Sequence, residues 1–248
     1  SITGGTGSSL FDIDATSGVV DVASGASFDY ETTQDYTLDV QVIDANSATD
    51  SFTYTVSILD LNDEAPVIDE SDTLTVSEDA AENTVAGTIS ASDADACDGL
   101  TGNCSAETTT FSITGGTGQT HFDIGSTSGV VDVSATAALD YDSSSFLTLV
   151  VTVTDANSAT DSFTYTVNLV DVNDETPVLD ETVALAVSEN AAANAVAGTI
   201  LASDADACDG LNGNCSAETK TFSITGGTGQ GSFNIDSATG EVVVAAAA

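Results

Sequence analysis

Positive charge is almost missing from this chain: one Lys and no Arg stand against 40 Asp and Glu in 248 residues, for a formal net charge of −39. That excludes nucleic acid as a partner, because no basic patch exists to displace counterions from phosphates. It excludes direct contact between this segment and an anionic membrane surface on the same ground. Trp and Met are absent, and His121 is the single histidine. Without a Trp platform, pairs such as Asp93 with Asp95 or Asp140 with Asp142 make a poor glycosidase site. With one His, no Ser-His-Asp or Cys-His set can recur along the chain, so it is read as no enzyme. The Gly-Gly-Thr-Gly loops are followed by no Lys and no expected helix, which leaves them as turns rather than phosphate cradles. No apolar run is long enough to span a bilayer, and no basic n-region precedes a short apolar stretch. A signal peptide or anchor is therefore expected only outside this segment.

What is present repeats. Ser-Ile-Thr-Gly-Gly-Thr-Gly begins at Ser1, Ser112 and Ser223, a period of 111 residues. Such self-similarity signals an array of equal modules, and this period matches a domain with its own core rather than a solenoid unit. The expected division is residues 1–65 as the C-terminal part of one module, 66–176 as a complete module and 177–248 as the N-terminal part of a third. Both ends then fall inside a module, as expected of a piece of a longer array. The 41% apolar share allows each bead a core despite the charge.

Cysteine is sparse but periodic: Cys97 with Cys104, and Cys208 with Cys215, one pair per module. A local disulfide in each, in an oxidising extracellular setting, is the preferred reading. The rival, a metal site, has only two soft ligands per module and no histidine partners, where zinc takes about four. Asn103-Cys104-Ser105 and Asn214-Cys215-Ser216 also fit the N-glycosylation pattern, which would make the protein a glycoprotein.

In the complete module, Leu147, Leu149, Val151 and Val153 alternate with polar or β-branched neighbours, and so do Phe163, Tyr165, Val167 and Leu169. Period-two alternation marks half-buried strands. Between them Asp155-Ala-Asn-Ser-Ala-Thr-Asp161 collects turn formers, so the pair reads as a hairpin. Further strands are expected at 73–77, 84–90, 109–114, 121–124 and 129–133. About seven short strands without sustained helical periodicity predict an all-β sandwich.

Acidic residues concentrate at the strand ends: Val76-Ser-Glu78-Asp79, Asp93-Ala-Asp95, Leu139-Asp140-Tyr-Asp142, Thr154-Asp155, and Asp171-Val-Asn173-Asp174-Glu-Thr-Pro177. Taken singly, each is a turn with solvated caps. Together, in this order and at this period, they resemble the extracellular cadherin repeat, with its early Glu, D-x-D, L-D-x-E, later Asp and D-x-N-D-x-x-P linker. Phe122-Asp-Ile-Gly-Ser-Thr-Ser-Gly-Val-Val-Asp-Val is similar to the family's middle strands. The resemblance covers the whole chain. It implies tandem seven-stranded Greek-key (immunoglobulin-like) β-sandwich modules and about three Ca2+ ions at each junction between modules.

Carried over by position, the resemblance gives the first junction Asp29, Glu31, Asp60, Asn62, Asp63, Asp93, Asp95 and Asp155, with the carbonyls of Leu61, Glu64 and Asn103. It gives the second junction Glu78, Asp140, Asp142, Asp171, Asn173, Asp174, Asp204 and Asp206, with the carbonyls of Val172, Glu175 and Asn214. The early Glu of the first set falls before residue 1 and the last Asp of the second set beyond residue 248. Asp142 stands where the family has Glu, so its shorter arm is expected to chelate one ion less well. The Cys-bearing loops after Asp95 and Asp206 are longer than many cadherin loops, and a disulfide would pin the loop that offers Asn103 or Asn214. Ca2+ takes about six to eight oxygen ligands in flexible geometry, which this donor set can supply. The seven carboxylates of the first set roughly balance about six positive charges from three ions.

The reading is thus a calcium-rigidified extracellular or cell-surface rod, structural or adhesive. Its partners would be like chains or other cell-surface or matrix proteins, and it would be a candidate for a surface fibre or homopolymer filament. The alternative is a recognition module whose loops bind a glycan or receptor while the repeats serve as spacer.

Overall fold

The computed structural model describes residues 1–95, 108–206 and 219–246, and every regular element among them is a β-strand. The leading part holds β1 (Ile2–Gly4), β2 (Phe11–Ile13), β3 (Val20–Val22), β4 (Asp35–Ile43) and β5 (Thr49–Ser57). The central part holds β6 (Val67–Ile68), β7 (Leu74–Ser77), β8 (Val85–Thr88), β9 (Ala91–Ser92), β10 (Thr110–Gly115), β11 (Phe122–Ile124), β12 (Val130–Val133), β13 (Phe146–Thr154) and β14 (Thr160–Val170). The trailing part holds β15 (Val178–Leu179), β16 (Val196–Thr199), β17 (Ala202–Ser203), β18 (Phe233–Ile235) and β19 (Glu241–Val244).

The central part is a sandwich of two sheets, ordered β10-β13-β14-β7 and β11-β12-β8, with β6 and β9 paired at one end. Alternation along β13 and β14 decides which side chains fill it, since successive residues of a strand point to opposite faces. Leu149, Val151, Val153 and Val167 are fully buried, and Tyr165 is nearly so. Opposite them lie Phe122, Val131 and Val133 of the second sheet, with Leu74 and Val76 of β7 closing the edge. Each such side chain contributes about 1.5–3 kcal/mol on burial. All seven strands expected from the pattern are present; the short β6–β9 pair was not expected, because two residues carry no periodic signal.

Among the described strands one pairing is parallel: β7 runs beside β14, with Leu74 opposite Val167 and Val76 opposite Leu169.

Tyr165 combines packing with a fixed polar end: its hydroxyl donates to the Asp69 carbonyl at 2.6 Å. Burial, then the charges of Asp72, Asp69, Glu70 and Asp161, push the phenol up to about 12. The folded value lies above the ordinary value near 10, so the fold favours the neutral form. This contribution is complete below about pH 10 and is lost as pH rises to about 12. Tyr165→Phe is expected to cost about 1 kcal/mol at neutral pH and to flatten the fall in stability across that window, measured by urea melts against pH.

Candidate metal centre

The acidic motifs come together where the modules join. At the first junction, carboxylate oxygens of Glu31, Asp60 and Asp95 lie within 4.8 Å of one another. At the second there are two such groups, Glu78 with Asp142 and Asp174, and Asp142 with Asp171 and Asp206. Oxygens bound to one Ca2+ at about 2.3–2.6 Å can be no more than about 5 Å apart, so each trio is compact enough for one ion. Asp142 belongs to both groups of the second junction. Its short arm thus stands between two candidate positions.

Burial makes the case sharper than proximity. Glu78, Asp95, Asp155, Asp171 and Asp206 are all less than a tenth exposed. Carboxylates are rarely buried so far unless they are paired or bind a metal. Both oxygens of Asp60, Oδ2 of Asp93, Oδ2 of Asp155, Oδ1 of Asp204 and Oδ2 of Asp206 are buried without a hydrogen-bond partner. In a chain with one Lys, no Arg and one His, these oxygens have almost no side-chain cation to meet.

The remaining oxygens hold the backbone of the linkers. Asp95 accepts the N–H groups of Asp63 at 3.4 Å and Glu64 at 3.1 Å. Asp206 does the same for Asp174 at 3.1 Å and Glu175 at 3.3 Å. Glu78 accepts the Tyr141 N–H at 2.5 Å and the Val172 N–H at 2.6 Å, tying the end of β7 to the 140–143 turn and the outgoing linker. Asp93 caps the Asp95 N–H at 3.2 Å. Asp155 receives the Ala159 N–H at 2.7 Å on Oδ1, which leaves Oδ2 for the junction.

The electrostatics follow from that crowding. Burial, then the charges of Asp93 and Glu31, push Asp95 up to about 6 against the pull of its two N–H donors. Asp142 is also pushed to about 6, first by loss of water around its carboxylate and then by Asp206, Asp171, Glu78 and Glu175. Its residue as a whole is exposed, so that desolvation is local. Glu31 is raised by desolvation and by Asp60, Asp63 and Asp29. Each carboxylate is disfavoured as an anion by its neighbours, a condition that a bound cation relieves.

Six carried-over carboxylates, Asp29, Asp63, Asp93, Asp140, Asp155 and Asp204, lie outside these groups, and turn donors engage two of them. Asp29 accepts Thr32 N–H at 2.8 Å and its hydroxyl at 2.9 Å. Asp140 accepts the Ser143 N–H and hydroxyl, both at 2.7 Å. The Ser143 hydroxyl and then its N–H hold Asp140 below the ordinary carboxylate range. Both side chains shape the turn that presents Glu31 and Asp142. Leu61, Asn62, Asp63, Glu64, Val172, Asn173 and Glu175 run through the two linkers, with Asn62 Oδ1 buried. Asn103 and Asn214, and the cysteines Cys97, Cys104, Cys208 and Cys215, lie outside the described residues.

This fold with acid-lined junctions has known counterparts. A family model of the cadherin domain matches residues 72–172. The chain consists of tandem cadherin repeats. It is 33% identical over 241 residues to human protocadherin Fat 1, covering 94% of the chain and 5% of that protein. To Cadherin-87A of Drosophila melanogaster it is 31% identical over 240 residues, 94% of the chain and 11% of that protein. The chain thus spans about a tenth or less of these relatives. Among solved structures, mouse Cadherin-23 EC22-24 superposes with a TM-score of 0.64 at 23% identity, over 100% of this chain and 75% of that one. The protocadherin GammaB4 extracellular domain does so with 0.64 at 22%, over 100% and 39%. These structures show the same Greek-key sandwich repeats. These cadherin homologues are adhesion proteins, not enzymes.

Sequence reasoning missed some of the polar framework. It named Glu78 as a ligand but not as the clamp on Tyr141 and Val172. It also read the Asp-Ala-Asn-Ser-Ala-Thr-Asp hairpin as a turn carrying the ligand Asp155, without the contacts that Asn157 and Asp161 make to the linker. The available signal was its identity in both copies, residues 44–50 and 155–161.

Proposed function

We propose that this chain is part of a calcium-rigidified extracellular rod, structural or adhesive, in which modules 1–65, 66–176 and 177–248 are locked end to end by about three Ca2+ ions per junction. The observation that carries this is the set of buried carboxylate oxygens without donors, from Asp60, Asp93, Asp155, Asp204 and Asp206, gathered on both sides of the linkers. Glu31, Asp60, Asp95 and Asp155 would hold ions at the first junction, and Glu78, Asp142, Asp171, Asp174 and Asp206 at the second. When bound, Ca2+ supplies the positive charge that this chain lacks. The residues themselves fix the linker backbone through N–H bonds and present the remaining oxygens toward the joint. Without cations, self-repulsion strains the joint.

Like chains are fitting partners for such a rod. Each junction joins near-identical modules, so the same acid-lined contact would serve between copies and extend the array as a homopolymer filament.

Small-angle scattering with millimolar Ca2+ and then with chelator, over a concentration series and beside thermal melting, tests both parts. A long rigid particle that loosens and melts earlier on chelation is the expected result. Identical profiles in the two media sink the calcium reading. A particle length independent of concentration sinks the homopolymer and leaves the junction mechanism standing.

A further inference from the structure

The β13–β14 hairpin does more than reverse the chain. Its turn is set by its own sequence: the Asp155 N–H donates to the Ala159 carbonyl at 3.1 Å, and Ser158 adopts a left-handed φ of 75°. The identical leading turn repeats this geometry, with Asp44 N–H to the Ala48 carbonyl at 3.0 Å and Ser47 at φ 67°. The same local bonds therefore shape the turn in both copies. In the central module it meets the incoming linker at two points. The Asn157 Nδ2–H donates to the Asn62 carbonyl at 2.5 Å, and Asp161 Oδ2 accepts the Ile68 N–H at 3.1 Å.

With Asp95 on the Asp63 and Glu64 amides, residues 62 to 68 are held at three separate places by the downstream module. None of these bonds involves a cation. The Asn157 carboxamide is uncharged, so neither protonation nor ion occupancy cancels its bond. Its acceptor is the carbonyl beside Asp63, in the strip of chain that passes Asp60, Asp95 and Asp155.

We infer that Asn157 is a positioning residue of the first junction, which fixes the linker against the downstream module independently of cation and so presets the path that the carboxylates share. The linker then travels with the downstream module in the ion-free state, and bending is confined to its upstream side. At the second junction the same division shows in the bonds: the upstream module holds Val172 through Glu78, and the downstream module holds Asp174 and Glu175 through Asp206. Asn173 stands between Val172 and Asp174 in sequence, the position that Asn62 holds at the first joint.

The consequence for cation affinity rests on the calcium reading above, but the backbone consequence does not, and two readouts separate them. Asn157→Ala is compared with Asn46→Ala, the same change in the same turn of the leading module, and with Asn157→Gln, which keeps the donor. Hydrogen exchange of the Asp63 and Glu64 amides in chelator is expected to quicken about three- to tenfold in Asn157→Ala alone, the worth of one hydrogen bond. Ca2+ titration by calorimetry is expected to show a similar loss of affinity, partly rescued in Asn157→Gln. Unchanged exchange in Asn157→Ala, or an equal change in Asn46→Ala, overturns the inference. Altered exchange in a chain that binds no Ca2+ leaves the positioning role intact and removes only the calcium reading.

Discussion

Asp142→Asn is expected to change sign with the medium, raising the melting temperature of the chain in chelator and lowering it in millimolar Ca2+. In the ion-free joint the Asp142 charge is opposed by Asp206, Asp171, Glu78 and Glu175, so removing it relieves repulsion. In the loaded joint the same carboxylate belongs to both groups of oxygens, with Glu78 and Asp174 and with Asp171 and Asp206. Asn keeps one neutral oxygen and loses the charge, for which a drop in affinity on the order of 10–100-fold is reasonable. By mass action that is roughly 1.4–2.7 kcal/mol at saturating ion, or on the order of 6–15 °C for a module of this size. Asp140→Asn is the control. Its carboxylate is engaged with Ser143, so its loss loosens the turn and lowers melting in both media. A fall of equal size for Asp142→Asn in both media, or a loss of Ca2+ affinity in Asp140→Asn as large as in Asp142→Asn, would show that the shared position is misassigned.

The difference between Asp140 and Asp142 also marks how far the sequence is legible. Strands were readable because burial imposes period two on Leu147 to Val153 and Phe163 to Leu169, a local and repetitive signal. The gathering of Asp60, Asp95, Glu78 and Asp206 was readable through motif order, since each motif sits at a strand end. Which carboxylates turn toward the joint was not readable, because it depends on competition from neighbouring donors. Thr32 and Ser143 take Asp29 and Asp140, while Glu31 and Asp142, two positions on, reach across. Family pattern makes both acids of each motif ligands; the hydrogen bonds divide them into a turn former and a group member. The Asn157 grip on Asn62 spans 95 residues of sequence, and no local pattern encodes it.

The Gly-Gly-Thr-Gly turn supplies the other large effect. Gly116 has φ +101°, and a Cβ there would lie 2.2 Å from the Thr148 carbonyl oxygen. That oxygen also accepts the Gly118 N–H at 2.9 Å, and the register of β10 on β13 shifts between Ile113 and Gly115. An added methyl therefore has to push β13 away at Leu149, a fully buried core residue. The left-handed backbone alone costs a non-glycine residue about 1–2 kcal/mol, and displacing a packed core strand brings the total to roughly 3–5 kcal/mol. Gly25 also has a left-handed φ, +84°, but a Cβ there meets nothing within 4 Å. Gly25→Ala should bear only the backbone term, a fall of about 4–10 °C at most. Gly116→Ala should abolish or lower the central module's transition by about 15 °C or more. Differential scanning calorimetry of the two variants decides the point. Equal shifts would mean that φ alone sets the cost, and that the Thr148 carbonyl yields to a side chain without disturbing Leu149.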